Sequence, residues 1–415
     1  MSRVRGFYVL GALILLTALG NFSVSAQEIK TVFVIAMENH NWTQPANQFT
    51  GRAQQIFQNL NAPFINSLVN GTAVVSVNGS RIQISKQVAY ATAYHNVLVT
   101  GNGNNRHIHP SEPNYIWSEA GTNFDVSSDN DPYSGEGPTI QDTRLHLSNL
   151  LTMAGKTWKS YQEDIDLTLN GGALTNVPLP PEKWTVPLAS FSGFASSYFN
   201  AYNSSSQFNY AAKHNPMVLF TDTNGGDDPT PMNPLSSHYA PLQQLLSDLA
   251  NDAVADYNWI TPDEYNDMHS AIGGGYKGLT GDAARIRQGD DFLSQIVPVI
   301  MASNAYKNRG VIIIWWDESE SDRLSGDNAD DLKHTIGEII ISPRAHGNVN
   351  GLPYASPLTY THSSDLRTMQ EIFRVGPFLG DAANATDLSD LFKSGAIPKK
   401  QPEIRSRGPH GRHAH

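Results

Sequence analysis

Two apolar runs that stop abruptly at acidic residues constrain this chain more than any other feature. Thr31-Val-Phe-Val-Ile-Ala-Met37 is continuous and β-branched, then gives way to Glu38-Asn39. Val311-Ile-Ile-Ile-Trp-Trp316 does the same before Asp317-Glu318. A strand apolar on every residue is covered on both faces, as in a parallel sheet. Helix-like stretches precede further apolar runs: Leu145 to Ala154 before Thr157 to Tyr161, Leu242 to Leu249 before Tyr257 to Ile260, and Phe292 to Ala305 before Val311. Ile336 to Ile341 reads as one more strand. The alternation predicts an α/β fold, a doubly wound and mostly parallel sheet flanked by helices. Ligands of such sheets gather beyond the strand carboxyl ends, where these acids stand.

Long polar stretches at Gly101 to Gly137, Asn170 to Asn215 and Thr221 to His238 interrupt the pattern and read as loop insertions that wall a pocket. Ahead of it, Arg3 and Arg5, the apolar run Tyr8 to Leu19 and Val24-Ser-Ala26 have the grammar of a cleavable signal peptide over 1–26. The run is short for the roughly 20 residues of a bilayer span, so a secreted or periplasmic protein with no transmembrane segment after cleavage is expected. The expected division is a catalytic domain over 27–395 and a disordered basic tail over 396–415.

There is no cysteine, which excludes thiolate chemistry and Cys-ligated zinc. Loss of Arg3 and Arg5 with the leader takes the formal charge from −11, less two cations, to −13. Such a balance disfavours nucleic acid as a partner. Handling an anionic phosphate then calls for local positive charge, and a divalent metal supplies it. Asn41-Trp-Thr43 and Asn203-Ser-Ser205 match glycosylation acceptors.

Five segments carry possible chemistry. Glu38-Asn39 offers a carboxylate and an amide oxygen to a hard cation, although a solvated turn uses the same residues. Ser111 lies two residues before Pro113, which suits a first helical turn; the hydroxyl there meets free N–H groups and the positive end of the helix dipole, or simply caps the helix. Asp317-Glu318 pairs two acids that repel unless a cation sits between them. Thr261 to His269, with Asp263, Asp267 and His269, and Thr361-His362-Ser-Ser364 follow or precede regular elements and can supply ligands, phosphate contacts or a proton. Lys213-His-Asn-Pro216 puts His214 at the same edge.

Taken in order, Met37-Glu-Asn39, His109 to Tyr115, Lys213 to Pro216, Asp263 to His269, Trp316 to Glu318 and His362 to Arg367 resemble the phosphoesterase family of bacterial acid phosphatases and phospholipases C, in the alkaline-phosphatase superfamily. The likeness implies an alkaline-phosphatase-like fold and a phosphoric-ester hydrolase. It implies that Glu38, Asn39, Ser111, Asp317 and Glu318 hold a divalent metal (Zn, Ca or Mg). One ion is firmly held and a second is possible, because Asp317-Glu318 replaces the Asp-His pair of many two-zinc relatives. Ser111 becomes the nucleophile of a phosphoseryl intermediate. His269, then His362, serves as proton donor, and His214, Asp263 and Asp267 contact a phosphate-ester substrate, either a small molecule or a lipid headgroup. Two alternatives stand beside this reading, a phospholipase C and an exported binding protein without catalysis.

Overall fold

The computed structural model describes residues 28–43, 56–96, 109–135, 139–165, 188–230, 232–321, 332–347 and 350–398. The leader, the tail from 399 and, of the long polar stretches, residues 101–108, 136–137 and 170–187 therefore lie outside the described residues.

Eight strands build the main sheet: β1 (Thr31–Met37), β2 (Val88–His95), β3 (Trp158–Gln162), β4 (Tyr239–Pro241), β5 (Tyr257–Thr261), β6 (Gly310–Trp316), β7 (Glu338–Ile341) and β8 (Tyr354–Thr361). Their order is β8-β2-β7-β6-β1-β5-β3-β4. Every pairing is parallel except those of β7, which runs antiparallel to both β6 and β2. All residues of β1 and β6 are buried, as their unbroken apolar runs require.

Helices among the described residues are α1 (Pro63–Asn70), α2 (Ser111–Ala120), α3 (Leu147–Met153), α4 (Leu242–Ala250), α5 (Gly281–Ala302), α6 (Asn304–Lys307) and α7 (His362–Phe373). Side chains alternate across a sheet, so Ala36 and its register partner Trp315 share one face while Met37 points to the other. Tyr115 of α2 and His362 of α7 pack their rings on Trp315 at 5.5 and 4.6 Å. On the Met37 side, α5 comes so close that a Cβ at Gly289 would lie 2.9 Å from Met37 Cε and 2.3 Å from Met268 Cγ. The fold is thus the α/β, helix-flanked, mostly parallel sheet that the sequence predicts.

Some details differ. The run Ile336 to Ile341 is broken at Gly337: Thr335–Ile336 pairs with Asn41–Thr43, and only Glu338–Ile341 enters the main sheet. Gly337 is crossed by Trp316, whose Cε3 would meet a Cβ at 2.3 Å. Thr221 to His238 runs from the Gln141 backbone to the start of β3. Asn224 and Asn233 side chains bond it to itself, and it closes with His238 stacked on Trp158, at the start of β3. The packed chain passes residue 395, because Ala396 and Ile397 are buried and Ile29 N–H donates to the Ala396 carbonyl at 2.9 Å. Asn41 is buried, and its amide donates to the Glu320 carbonyl at 2.7 Å, which is incompatible with a glycan on the folded chain.

Candidate active site

Strand register creates the site. Met37 lies beside Trp316 in parallel strands, so the next residues, Glu38 and Asp317, emerge side by side. The Asp317 N–H donates to the Met37 carbonyl at 3.1 Å, and the Asn39 N–H donates to Asp317 Oδ1 at 2.9 Å. From the other flank, the Glu38 N–H donates to the Asp267 carbonyl at 2.8 Å, drawing in the loop that follows β5. Three adjacent parallel strands thus deliver three acids to one edge.

Helix α2 brings the hydroxyl. Ser111 is its first residue, 2 % exposed, and its Oγ–H is placed to donate to Glu38 Oε2 at 2.9 Å or Asn39 Oδ1 at 3.1 Å. One turn later on the same helix face, the Tyr115 hydroxyl donates to Glu38 Oε1. Tyr115 went unassigned in the sequence reading, although its i+4 spacing from Ser111 marks it. The Asn39 amide is better satisfied turned over, with its NH₂ 2.7 Å from Glu38 Oε2 and 3.0 Å from Asp317 Oδ2.

His214 follows, on the short helical turn Ala212–His214. Its Nε2 is 3.5 Å from Glu38 Oε1 and its Nδ1 is 3.8 Å from Asp267 Oδ2. Both ring nitrogens and Asp267 Oδ2 are buried without a hydrogen-bond partner. Glu38, His214 and Asp267 each offer a ligand atom within 4.8 Å of one another. Burial raises the Glu38 carboxyl far above its ordinary pKa, and the charges of Asp317 and Asp267 add to the effect. Burial also raises Asp267, and pushes Asp317 to about 6 and Glu318 to about 7. His214 moves the other way: burial, with help from Lys213, keeps its ring neutral. Anions crowded in a dry edge favour a cation among them or protons upon them.

The remaining predicted residues divide. Glu318 turns from the corner toward His109, whose Nδ1 is 2.7 Å away, and the Asn114 amide at 3.3 Å. His269 stands half-buried at the rim, with its ring centroid 6.0 Å from that of His214. His362, an expected proton donor, sits behind the corner instead. Its Nε2 meets the Asp317 carbonyl at 2.6 Å, and its Nδ1 meets Trp315 Nε1 at 3.0 Å and the Tyr94 hydroxyl at 2.9 Å. Burial takes its pKa to about 3, so the neutral ring donates from Nε2 and accepts at Nδ1, leaving no proton for a substrate. Asp263, an expected substrate contact, belongs to a separate buried cluster with Glu163 and Asp164. Its Oδ1 accepts the backbone N–H groups of Tyr265 and Asn266 at 3.2 and 2.8 Å.

Comparison with known proteins gives a consistent picture. Residues 21–376 match the model described as the phosphoesterase family. The chain is 22% identical to a probable acid phosphatase of Kluyveromyces lactis over 68% of its own length and 55% of that protein. It is 23% identical to a phosphatidylinositol-3-phosphatase of Mycobacterium tuberculosis over 81% of its length and 78% of that protein. The chain thus spans about half of the first relative. Among solved structures, a protein in the alkaline phosphatase superfamily from Vibrio parahaemolyticus aligns with a TM-score of 0.43 at 10% identity, covering 89% of this chain and 73% of that one.

Proposed function

The chain belongs to the phosphoesterase family, and from that premise we propose that it is an exported, metal-dependent hydrolase of phosphoric esters with Ser111 as nucleophile. The observation that carries the reading is the Ser111 hydroxyl at the start of α2, 2.9 Å from Glu38 Oε2 and 3.1 Å from Asn39 Oδ1.

A divalent cation fits this corner. Glu38 and Asp317 emerge there side by side and fully buried, beside the Asn39 amide and the Ser111 hydroxyl, and carboxylates crowded in this way are satisfied by a cation. Glu38, Asn39, Ser111 and Asp317 present an oxygen-only donor set suited to a hard ion, with Glu318 adjacent. When bound, such an ion supplies positive charge to a phosphoryl oxygen and acidifies a coordinated hydroxyl.

The protein's own groups do the rest. Ser111 Oγ attacks phosphorus while its proton passes toward Glu38 Oε2. The P–O bond to the alcohol breaks, and His269 at the solvent rim protonates the leaving oxygen. Water then reverses the sequence at phosphorus and frees Ser111. His214, neutral and unpartnered, offers an N–H to a phosphoryl oxygen, and Asp267 holds the loop that carries both it and His269 against Glu38.

Ser111→Ala tests the reading. Turnover of an aryl phosphate should fall at least about 10³-fold while the fold and the bound metal persist; full activity would refute it. Metal analysis of the purified protein should return one ion per chain, and two would assign Glu38, His214 and Asp267 to another cation. Aryl phosphate and phosphatidylcholine assayed side by side separate a phosphatase from a phospholipase C.

A further inference from the structure

We propose that Tyr94 and Asp365 are positioning residues of this site, acting through His362 to hold Asp317 in place from behind. The proposal rests on the reading of the Ser111 corner given above. It concerns groups that no step of that reading uses.

A line of buried contacts runs from the site into the sheet. The His362 ring stands between the Asp317 carbonyl, 2.6 Å from Nε2, and the Tyr94 hydroxyl, 2.9 Å from Nδ1. Tyr94 is fully buried, and its hydroxyl also bonds Asp365, one turn along α7 from His362. Behind Asp365 lies Glu338 of β7, 1 % exposed and paired across the sheet with Trp315. No N–H or hydroxyl reaches either Glu338 oxygen. Its carboxyl meets that of Asp365, and burial raises the pKa of both. Two carboxyl groups in contact repel when both are ionised, so a pair buried this way holds its protons.

Donor bookkeeping gives this line a direction. The Asp317 carbonyl can only accept, so His362 must carry its proton on Nε2. Nδ1 is then an acceptor, facing the Trp315 N–H at 3.0 Å and the Tyr94 hydroxyl. Tyr94 has one hydrogen and two acceptor neighbours, His362 Nδ1 and Asp365 Oδ2. It can point that hydrogen at His362 only if the Asp365–Glu338 pair supplies one to the Tyr94 oxygen. With both carboxyls protonated, Glu338 donates to Asp365 and each group donates to the next, from Asp365 to Tyr94 to His362 to Asp317. The Asp317 carbonyl and the Trp315 N–H fix the tautomer of His362, and the line from Asp365 adds position: it holds the ring, and with it the backbone at Asp317, where the Asp317 carboxylate meets Asn39. Outer groups that orient a ligand this way typically carry roughly ten- to a hundredfold in metal affinity or activity.

Full-length, metal-loaded protein with Tyr94→Phe or Asp365→Leu tests this. The kcat on an aryl phosphate should fall by roughly ten- to a hundredfold with KM within about threefold. Asp365→Asn still bonds both Tyr94 and Glu338 and should stay within about threefold of wild type. In ¹⁵N-histidine NMR, the resonance assigned to His362 by its loss in His362→Asn should show protonation at Nε2 alone in the wild type. The His362 Nδ1 resonance should shift in Tyr94→Phe, which removes a donor facing that nitrogen, and keep its position in Asp365→Asn. This readout needs no turnover, so it stands even if Ser111→Ala refutes the hydrolase reading. An unchanged kcat in Tyr94→Phe, an unchanged His362 Nδ1 resonance there, or equal losses in Asp365→Asn and Asp365→Leu would overturn the proposal.

Discussion

Two clusters of buried acids lie beyond neighbouring strands, and they are built on opposite principles. In the cluster of Glu163, Asp164 and Asp263, each carboxylate has its own donors. Glu163 accepts from the Asn200 amide at 2.8 Å, from the Asn266 amide at 3.0 Å and from the Asp263 N–H at 2.9 Å. Asp164 accepts from the Tyr198 hydroxyl and the Asn209 N–H, and Asp263 from two backbone N–H groups. In the corner of Glu38, Asp317 and Asp267, side-chain donors are scarce: Ser111 and Tyr115 serve Glu38, while Asp267 Oδ2 and both His214 nitrogens have no partner. Acids supplied with donors have a structural use of their own. Acids left facing each other are arranged for something that arrives from outside the chain.

The largest expected effect breaks the comparison at the second cluster. If Glu38 and Asp317 hold the proposed cation, Glu38→Gln or Asp317→Asn removes one of its ligands, so kcat/KM should drop at least about 10²-fold and metal content should fall with it. The same variants relieve charge crowding, so the metal-stripped protein should gain or keep its Tm. A cation-independent enzyme would retain activity in Asp317→Asn, and that outcome would put the corner on a par with its neighbour.

Next in size is the converse substitution. Glu163→Ala strands the buried amides of Asn200 and Asn266 and should cost about 2–4 kcal/mol of stability, with kcat changed less than about threefold. Urea unfolding with parallel kinetics measures both. A Glu163→Ala protein that folds normally but loses its metal would make the first cluster a ligand site after all.

The contrast also shows what a sequence can reveal. Glu38, Asn39 and Asp317 were legible because each ends an unbroken apolar run, and parallel register turns that shared position into proximity. Ser111 was legible from Pro113 and from the ordered motifs. Asp263 looked like Asp267 because both follow β5; Asn200 and the backbone of Tyr265 and Asn266, which fold around Asp263, set them apart. His362 misled for the same reason. Its surroundings are set by Tyr94, Trp315 and Asp317, from two other strands or their ends, and its own segment records none of them. Strands β2 and β8 escaped notice because VAYATAYH and YASPLTYT lack both a continuous apolar run and clean alternation. Their place near one edge of the sheet asks less burial of them than β1 bears.

The smallest effect separates the clusters by pH. Burial leaves Asp317 with a pKa of about 6 and Glu318 with one of about 7, both above their unfolded values. Groups raised in the folded state bind protons more tightly there, so their stabilising contribution is complete below the unfolded pKa and is lost as pH rises through the folded one. The metal-stripped protein should therefore lose stability between about pH 4 and pH 7, by at most about 3 kcal/mol for Asp317 alone. Added cation should reverse the trend, because it binds the ionised carboxylates and adds about 2.7 kcal/mol at a hundred times its Kd. Thermal melts at pH 5 and pH 8, with chelator and with excess divalent cation, give the four values needed. Glu163→Gln should leave the metal-dependent difference between the two pH values in place, and Asp317→Asn should shrink it.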